Sequence, residues 1–347
     1  MLSYIYDENK KFLLKDIPFP KKKPNNAIIK VNASSICGTD LRTYRFGSSK
    51  ITPPRVIGHE VVGEVVYFGE EVNGLSIGER VQIVPAIGCG KCRLCLNGHT
   101  NLCDELKTIG FQYDGAFAEY MELPSDLLEQ GNFNKVNDCI SDEEAVLTEP
   151  IACVINSQGF LNINKESTVA IIGSGFIGSM HVELARLNGA KKIIVIEINE
   201  ARAKKCKEYN PDVEIINPKK DNLFNLIMEL TNGHGTDVSI VACSVGSAQS
   251  DAMKITGKLG RISLFGGLPG DSLGFIDSNI IHYKEISVYG VHASTAKQNK
   301  LGLEYIEKGR LDVKKYTNNI FSLNEIENAF KCLENEEIIR AIIKPKI

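Results

Sequence analysis

A glycine-rich turn between a short apolar run and a helical stretch is the feature that most constrains the fold of this chain. The run Val169–Ile172 leads directly into the sequence GSGFIG at residues 173–178, and a helical pattern follows. Gly173 permits a tight turn, Gly175 lets the backbone approach a pyrophosphate, and Gly178 lets the helix pack closely on the strand. The free N–H groups at the start of the helix favour phosphate. The sequence therefore predicts a dinucleotide site in a βαβ unit.

An acidic residue after the next apolar run indicates which dinucleotide binds. Glu197 ends this run, and its carboxylate can accept hydrogen bonds from the hydroxyls of an adenosine ribose. The same charge repels the additional phosphate of NADP, so we expect NAD. We also expect Phe176, Ile177 and Arg202 to line the site. The alternative is a glycine-rich turn in an ordinary βαβ unit with Glu197 at the surface, which requires strand, glycines, helix and acid to coincide by chance.

The pattern of the chain changes along its length. Short β-branched runs between Gly and Pro turn signals fill about the first 125 residues, which is typical of a β-rich domain. From Val169 onward, short apolar strands alternate with helical stretches, which predicts a doubly wound parallel sheet. The segments 300–307 and 323–330 show amphipathic helical patterns, but periodicity does not say where they pack. A length of 347 residues favours two domains.

Composition excludes several classes of protein. The chain has 40 Lys and Arg against 43 Asp and Glu, and this balance argues against a broad polyanion-binding surface. The first residues lack a basic segment followed by an apolar run, and no stretch approaches the about 18 apolar residues of a membrane helix. We therefore expect a cytoplasmic protein with no nucleic-acid or membrane partner. Ten cysteines in such a chain indicate metal binding or catalysis before disulfides.

Four of these cysteines have the spacing C-x2-C-x2-C-x7-C. They are Cys89, Cys92, Cys95 and Cys103. Four thiolates this close in sequence can complete a tetrahedron around Zn²⁺, so we predict a structural zinc lobe over residues 88–104. An iron–sulfur cluster is the competing interpretation, because thiolates suit both metals. A nucleic-acid-binding zinc module is disfavoured, because Lys91 and Arg93 have no aromatic stacking platform beside them.

A second set of ligand types is dispersed along the chain. Cys37 stands in a Cys-Gly-Thr-Asp turn, His59 and Glu60 follow a glycine, and Glu149 precedes a proline. One thiolate, one imidazole and one or two carboxylates can hold Zn²⁺ and leave a coordination position open, as catalysis requires. The alternative is a buried thiol and a core imidazole. The single cysteines at 139, 206, 243 and 332 are interpreted in that way, as small buried hydrophobic residues.

These motifs together resemble the zinc-dependent medium-chain dehydrogenase/reductase family, which contains zinc alcohol, sorbitol and threonine dehydrogenases. The motifs occur in the family order over essentially the whole chain. The resemblance implies a β-rich GroES-like catalytic domain of residues 1–152 and 290–347, with a Rossmann domain of residues 153–289 between them and the active site in the cleft. It also implies a homodimer or homotetramer.

The resemblance implies roles for the dispersed residues. Cys37, His59 and Glu60 match ligands of the catalytic zinc. Glu149 stands at a position where many alcohol dehydrogenases have a cysteine. A glutamate there resembles the polyol and threonine dehydrogenase branch, and the resemblance implies that Glu149 is a ligand or a water-bridged partner of the zinc. The choice between the two carboxylates stays open. Thr39 is expected to take the substrate's hydroxyl proton into a relay.

Three positions depart from the family pattern. Arg42 replaces a relay histidine, and a guanidinium cannot take up a proton at neutral pH. His292 and Ala293 replace an Arg–aromatic pair of sorbitol dehydrogenases, which argues against sorbitol itself. Cys153 and Val154 replace a small pair usual beside the nicotinamide, and the sequence offers no chemical reason for that change.

The predicted activity is the NAD-dependent oxidation of a secondary alcohol of a polyol to a ketose, with two zinc ions per chain. Zinc promotes formation of an alkoxide, and a hydride passes to the nicotinamide. We expect substrate contacts from Arg42, Tyr44, Phe111 and His292. A phosphorylated polyol, bound through Arg42, His292 and Lys297, is one alternative. L-Threonine and 2,3-butanediol are others, whereas a non-catalytic NAD-binding protein would require a broken zinc site.

Overall fold

The computed structural model describes residues 1–270 and 272–345. Packing divides the chain into two compact units. The first unit comprises Met1–Cys153 together with the segment that begins at Ala293, and the second unit comprises Val154–His292. Our sequence-based boundaries fall after residue 152 and before residue 290.

The strands of the described residues, in chain order, are β1 (Leu2–Tyr6), β2 (Phe12–Asp16), β3 (Ala27–Ser35), β4 (Arg55–Val56), β5 (Glu60–Phe68), β6 (Arg80–Ile83), β7 (Ala86–Ile87), β8 (Lys107–Thr108), β9 (Tyr120–Leu123), β10 (Phe133–Lys135), β11 (Thr168–Ile172), β12 (Lys192–Ile196), β13 (Glu214–Ile216), β14 (Thr236–Val241), β15 (Thr256–Leu264), β16 (Ser287–Gly290), β17 (Ile320–Ser322) and β18 (Ile342–Lys344).

The α-helices of the same residues are α1 (Gly38–Phe46), α2 (Arg93–Leu96), α3 (Ser125–Glu129), α4 (Asp142–Ala145), α5 (Thr148–Gly159), α6 (Phe176–Leu187), α7 (Glu200–Tyr209), α8 (Leu223–Leu230), α9 (Gly246–Ile255), α10 (Ser278–Lys284), α11 (Ala296–Glu307) and α12 (Ile326–Glu334). Short 3₁₀ helices cover Thr100–Leu102, Lys314–Tyr316 and Leu323–Glu325. Within the described ranges, no helix has both the length and the apolar character needed to cross a bilayer.

The first unit is built on a mainly antiparallel sheet in the order β10-β6-β5-β3-β18-β17, with β9 also paired to β3. Its core contains side chains of β3, β5 and β6, among them Ile29, Val61 and Ile83, all fully buried. The register places Ser35, the last residue of β3, opposite Glu60, the first residue of β5. Because these strands are antiparallel, the chain leaves β3 and enters β5 at the same edge of the sheet.

The second unit is a six-stranded parallel sheet in the order β13-β12-β11-β14-β15-β16. The central strands are runs of Val and Ile that are buried on both faces, as helices on both sides of a parallel sheet require. The predicted strand–helix alternation is confirmed. The helix after the glycine turn begins at Phe176 rather than at residue 179, because Gly175 already occupies the N-cap position.

The carboxy-terminal segment contains both predicted amphipathic helices. The first is α11. The second begins as a 3₁₀ turn at residue 323, where the Glu325 carboxylate accepts the backbone N–H of Ser322 at 2.9 Å, and continues as α12. The α12 face with Ile326 and Phe330 is buried in the first unit, and Phe330 stacks on Tyr4 with ring centroids 6.0 Å apart. This contact answers the packing question that periodicity left open.

One prediction about the single cysteines is wrong. Cys139 is exposed, because it lies in a turn between β10 and α4 where few side chains surround it. Cys206 is buried, as predicted, in α7. Cys243 and Cys332 are half-buried.

Candidate active site and metal centres

Cys37, His59 and Glu60 lie together at one edge of the first unit's sheet. Their possible ligand atoms are all within 4.8 Å of one another. Cys37 is the N-cap residue of α1, immediately beyond β3, while His59 precedes β5 and Glu60 begins it. The antiparallel pairing of β3 with β5 therefore converts two motifs that are distant in sequence into one cluster.

Gly58 shapes the approach of the chain to His59. Its backbone φ is +94°, a value that L side chains rarely adopt, and an added Cβ would lie 2.8 Å from the Phe117 ring. Only glycine meets both the backbone and the space requirement at this position. The glycine before His59 is thus required by the turn that presents the imidazole.

Asp40 ties two members of the cluster together. One oxygen of its buried carboxylate accepts the backbone N–H of Cys37 at 2.9 Å, and the other lies 3.5 Å from Nδ1 of His59. Burial lowers the pKa of His59, but the negative charges of Asp40 and Cys37 outweigh burial and raise that pKa well above its usual value. The surroundings of His59 therefore stabilise a positive charge. Sequence reasoning did not assign Asp40 a role, although it lies in the same turn as Cys37.

A buried ion pair holds one oxygen of Glu60. Its Oε2 accepts hydrogen bonds from the Ser35 hydroxyl and from the Arg340 guanidinium, which also donates to the carbonyl of Ile36 at 3.2 Å. Burial lowers the pKa of Arg340 to about 10, opposed by the negative charges of Cys37 and Asp40. No motif marks Arg340, so sequence reasoning missed it.

One buried ligand atom of this cluster, Oε1 of Glu60, makes no hydrogen bond with the residues that the structure describes. Nδ1 of His59 faces the Asp40 carboxylate, so the imidazole would offer its other nitrogen to a metal. Buried polar atoms are nearly always partnered, and an imidazole nitrogen beside an orphaned carboxylate oxygen and a thiol is a donor set that suits zinc. The residues present therefore fit the zinc ion that the sequence predicts.

Glu149 lies outside the compact group but close to it. It is buried in the first turn of α5, and burial raises the pKa of its carboxyl while the charge of His59 opposes that effect. The Cys153 thiol, one helical turn further on, lies 3.5 Å from Oε1 of Glu149. This geometry favours Glu60 as the closer carboxylate, and the choice of direct ligand stays a prediction.

The four cysteines of the predicted zinc lobe converge. Their sulfur atoms lie within 4.8 Å of one another. Backbone N–H groups donate to three of the sulfurs, including that of Cys92 to Cys89 at 3.3 Å and that of Cys89 to Cys103 at 3.3 Å. The N–H groups of Lys91 and Cys92 lower the pKa of Cys89 to about 7, whereas burial raises that of Cys95 to about 12. The lobe is therefore arranged to bind a thiophilic ion.

The glycine turn of the second unit has the predicted geometry. Gly173 has a φ of +101°, and a Cβ on Gly178 would lie 1.9 Å from the Gly173 carbonyl oxygen. The Glu197 carboxylate is buried and accepts the N–H of Ser174 at 2.8 Å and that of Asn199 at 2.8 Å. The alternative of a surface-exposed Glu197 is thereby excluded. Ser174 and Asn199, which hold this acid in place, were not predicted.

The remaining predicted cofactor residues lie at the helix starts of this unit. Phe176 is buried and Ile177 is half-buried in the first turn of α6. Arg202 is half-buried in α7, and its backbone N–H donates to the side chain of Asn199 at 2.9 Å. Their contacts with a cofactor stay predictions.

The predicted substrate residues have different surroundings. The Phe111 ring lies 6.0 Å from the His59 ring, centroid to centroid, so Phe111 is next to the metal cluster. Tyr44 stacks on Phe330 at 4.6 Å, which gives it a packing role. Arg42 is half-buried in α1. His292 belongs to the second unit, where its backbone carbonyl accepts a hydrogen bond from the Asn156 side chain at 3.4 Å. Thr39, the predicted relay residue, is exposed.

Comparison with known proteins agrees with this architecture. Residues 23–131 match the family model of the alcohol dehydrogenase GroES-like domain, and residues 177–307 match that of the zinc-binding dehydrogenases. L-Threonine 3-dehydrogenase of Pyrococcus abyssi is 35% identical over 282 residues, which cover 80% of this chain and 78% of that protein. Sorbitol dehydrogenase of Halalkalibacterium halodurans is 30% identical over 336 residues, 96% of each chain.

A solved structure extends the likeness to the whole fold. The 2R,3R-butanediol dehydrogenase from Bacillus subtilis superposes with a TM-score of 0.88 at 26% identity, covering 99% of both chains. The fold and the site thus define a two-domain, zinc-binding oxidoreductase. The chain belongs to the zinc-dependent alcohol dehydrogenases of the medium-chain dehydrogenase/reductase family. The predicted family, GroES-like and Rossmann folds and enzyme class are confirmed.

Proposed function

We propose that this enzyme oxidises a secondary alcohol of a polyol, sorbitol-like or iditol-like in form, to a ketose, with NAD as the hydride acceptor. The observation that carries the proposal is the cluster of Cys37, His59 and Glu60, in which the buried Oε1 of Glu60 makes no hydrogen bond with the described residues. This donor set can hold zinc and still admit a substrate oxygen. A carboxylate in place of a second thiolate makes the shell harder, which suits a polar, chelating diol.

The residues of the chain would divide the work of the reaction. Zinc, once bound, supplies a Lewis acid that lowers the pKa of the substrate hydroxyl, and NAD accepts the hydride. Asp40 orients the His59 imidazole, and Arg340 holds one oxygen of Glu60 so that the other is available to the metal. Thr39, which is exposed, takes the hydroxyl proton towards solvent.

The cofactor assignment depends on Glu197. Two backbone N–H groups and the Ser174 hydroxyl hold its carboxylate, which retains acceptor capacity for ribose hydroxyls. The additional phosphate of NADP would bring a like charge to the same place. We expect kcat/KM with NAD to exceed that with NADP by at least about ten-fold. This ratio corresponds to about 1.4 kcal/mol of repulsion between the Glu197 carboxylate and the additional phosphate. Equal values would contradict the assignment.

The substrate is tested by a panel of alcohols scored by NADH absorbance. The panel contains sugar alcohols, their phosphates, L-threonine and 2,3-butanediol, the last two because relatives carry those substrates in their names. We expect the highest kcat/KM with an unphosphorylated vicinal polyol. A higher value for a polyol phosphate would favour the alternative in which Arg42 and Lys297 bind phosphate. A higher value for L-threonine would overturn the polyol assignment.

The metal content belongs to the same proposal. We propose two zinc ions per chain, one at the Cys37 cluster and one in the four-cysteine lobe. Elemental analysis of the purified protein should give two zinc ions per chain. A value of one would remove one of the two sites from the proposal, and iron in the protein would revive the cluster interpretation of the lobe.

We further propose a homodimer or homotetramer joined through the second unit's sheet. β16 is an edge strand of that sheet, and the loop before α10 exposes Leu273, Phe275 and Ile276. A sheet edge that pairs with no other described strand can pair with a second copy of the same strand, and exposed apolar side chains favour association. Light scattering after size-exclusion chromatography should give a mass of two or four chains, and a monomer would contradict this. The cytoplasm stays the predicted compartment, and its reducing conditions would keep the cysteine thiols available as metal ligands.

A further inference from the structure

A series of buried and half-buried polar side chains in the first unit leads to Glu149. Asn134, in β10, donates from its amide nitrogen to Oε1 of Gln82 at 2.8 Å. Gln82, in β6, donates from Nε2 to Oδ1 of Asn299 at 3.1 Å. Asn299, in α11, donates from Nδ2 to the hydroxyl oxygen of Ser294 at 3.0 Å. Three links therefore connect the sheet to the segment just before α11.

Cys153 makes the last two links. Its thiol donates to Oε1 of Glu149 at 3.5 Å. Burial and the charge of Glu149 raise the pKa of this thiol, and a hydrogen bond from the Ser294 hydroxyl opposes them. Glu149 and Cys153 are four residues apart in α5, and a helix places residues at that spacing one above the other on the same face. The carboxylate is therefore the end of a five-link chain that we call the Glu149 chain: Asn134, Gln82, Asn299, Ser294, Cys153 and Glu149.

Every link of the Glu149 chain can run in the same direction. Gln82 and Asn299 each accept through the amide oxygen on one side and donate through the amide nitrogen on the other. Ser294 and Cys153 can each accept and donate, whereas an ionised carboxylate only accepts. In its ionised form, Glu149 can therefore only be the last acceptor of the chain. Successive bonds of the same sense polarise one another, and each strengthens the next.

Burial makes the Glu149 chain destabilising unless every polar group in it has a hydrogen-bond partner. Gln82 and Asn299 are fully buried and Ser294 is 2% exposed, so each polar group needs its partner. Apolar side chains would fill the same space without that requirement. The chain is anchored in a β-strand and a helix, which move less than loops. Because these partners are held in regular secondary structure, we expect the thiol of Cys153 to keep one orientation.

We propose that Cys153, Ser294 and Asn299 are positioning residues that hold the Glu149 carboxylate in one orientation beside the catalytic zinc shell. This inference rests on the proposed function, because it takes Cys37, His59 and Glu60 as that shell. It gives Cys153 the chemical role that the sequence did not provide. A thiol held by Ser294 keeps Glu149 outside the compact group of ligands, where it serves as an outer partner of the metal.

The first measurement examines the Glu149 chain without metal or turnover. The S–H stretching band of a thiol lies in an infrared region free of other protein absorption, and hydrogen bonding lowers its frequency. Cys153→Ser should remove one low-frequency band from the wild-type spectrum. Glu149→Gln and Ser294→Ala should each shift that band upward. A Cys153 band that neither substitution moves would overturn the inference.

The second measurement is the rate at which a chelator removes the catalytic zinc in the absence of substrate. Each zinc ion is expected to leave in its own kinetic phase. The phase that is missing from the release curve of His59→Ala is assigned to the catalytic zinc. Cys153→Ala should accelerate its release by about ten-fold, the usual effect of losing an outer-shell partner. Cys153→Ser retains a donor and should restore a rate within about two-fold of the wild type. Cys139→Ala, an exposed thiol, is the matched control and should change nothing.

A double-mutant cycle shows whether Cys153 acts through Glu149. In the Glu149→Gln background, Cys153→Ala should change zinc release by less than about two-fold. The inference is overturned if Cys153→Ala leaves the wild-type rate unchanged or slows it, or if its effect is the same in both backgrounds. If the panel of alcohols gives no NADH while these zinc and infrared results hold, only the proposed function fails. A wild type with no catalytic zinc phase contradicts both.

Discussion

At the scale of single residues, the site depends on charges that its neighbours compensate. Asp40 contacts both the backbone of Cys37 and the ring of His59, and Arg340 pairs with Glu60 in a fully buried position. Removal of one partner of such a pair leaves an uncompensated buried charge, which costs more than the intact pair contributes. These residues therefore fix the charge of the cluster before any metal binds.

His181 shows the opposite case, a buried imidazole with no charged partner among the residues that the structure describes. Burial lowers its pKa to about 3, and Phe265 packs edge-on against its ring. The unfolded chain takes up a proton at this residue near pH 6.5, so the stability contributed by neutral His181 is complete above that pH. It declines as the pH falls towards about 3, by about 1.4 kcal/mol per pH unit.

The prediction follows from that slope. Between pH 7 and pH 5, the free energy of unfolding of His181→Gln should fall by about 2 kcal/mol less than that of the wild type. Urea titrations at the two pH values provide the measurement. His234→Gln, at an exposed histidine, is the control and should behave as the wild type does. Equal losses in His181→Gln and the wild type would show that His181 does not contribute to acid sensitivity.

At the scale of elements, close approach between helix and turn controls the nucleotide site. An alanine at 178 would bring its Cβ to 1.9 Å from the Gly173 carbonyl oxygen, so α6 must move away from the turn. Such a shift withdraws the N–H groups that bind the pyrophosphate. Glu197, which is hydrogen-bonded to the same turn, would lose its alignment as well.

Gly178→Ala should therefore weaken NADH binding by about ten-fold or more, because at least one charge-assisted hydrogen bond is lost. Fluorescence titration with NADH measures the affinity. Gly159→Ala is the matched control in α5, where an added Cβ meets no atom within 4 Å and should affect NADH binding little. Unchanged affinity in Gly178→Ala would refute the proposed role of this glycine.

The four-cysteine lobe is a second element that can be tested by itself. It consists of turns with one short α-helix and one 3₁₀ helix, so its order depends on the ion that joins the thiolates. Cys103→Ser should reduce the zinc content by one per chain and lower the melting temperature by several degrees. Cys332→Ser, outside the lobe, should retain full zinc. A full zinc content in Cys103→Ser would contradict the lobe assignment.

At the scale of the whole molecule, local motifs and long-range contacts were not equally accessible from sequence. The glycine turn, Glu197 and the four cysteines carry their chemistry within short segments, so spacing predicts them. Arg340 meets Glu60 across a separation of 280 residues, and Asn299 meets Gln82 across 217. Those pairings exist only because β18 and α11 return to the first unit. No single-sequence pattern contains that return.

The measurement that tests the central claim most directly compares the wild type with His59→Ala for zinc content and NADH formation on a vicinal polyol. We predict two zinc ions per chain and turnover in the wild type. His59→Ala should retain one zinc ion and bind NADH normally, while its turnover falls by at least about 10³-fold, as the loss of a metal's Lewis-acid effect of several kcal/mol requires. Full turnover in His59→Ala would contradict the assignment of the catalytic centre.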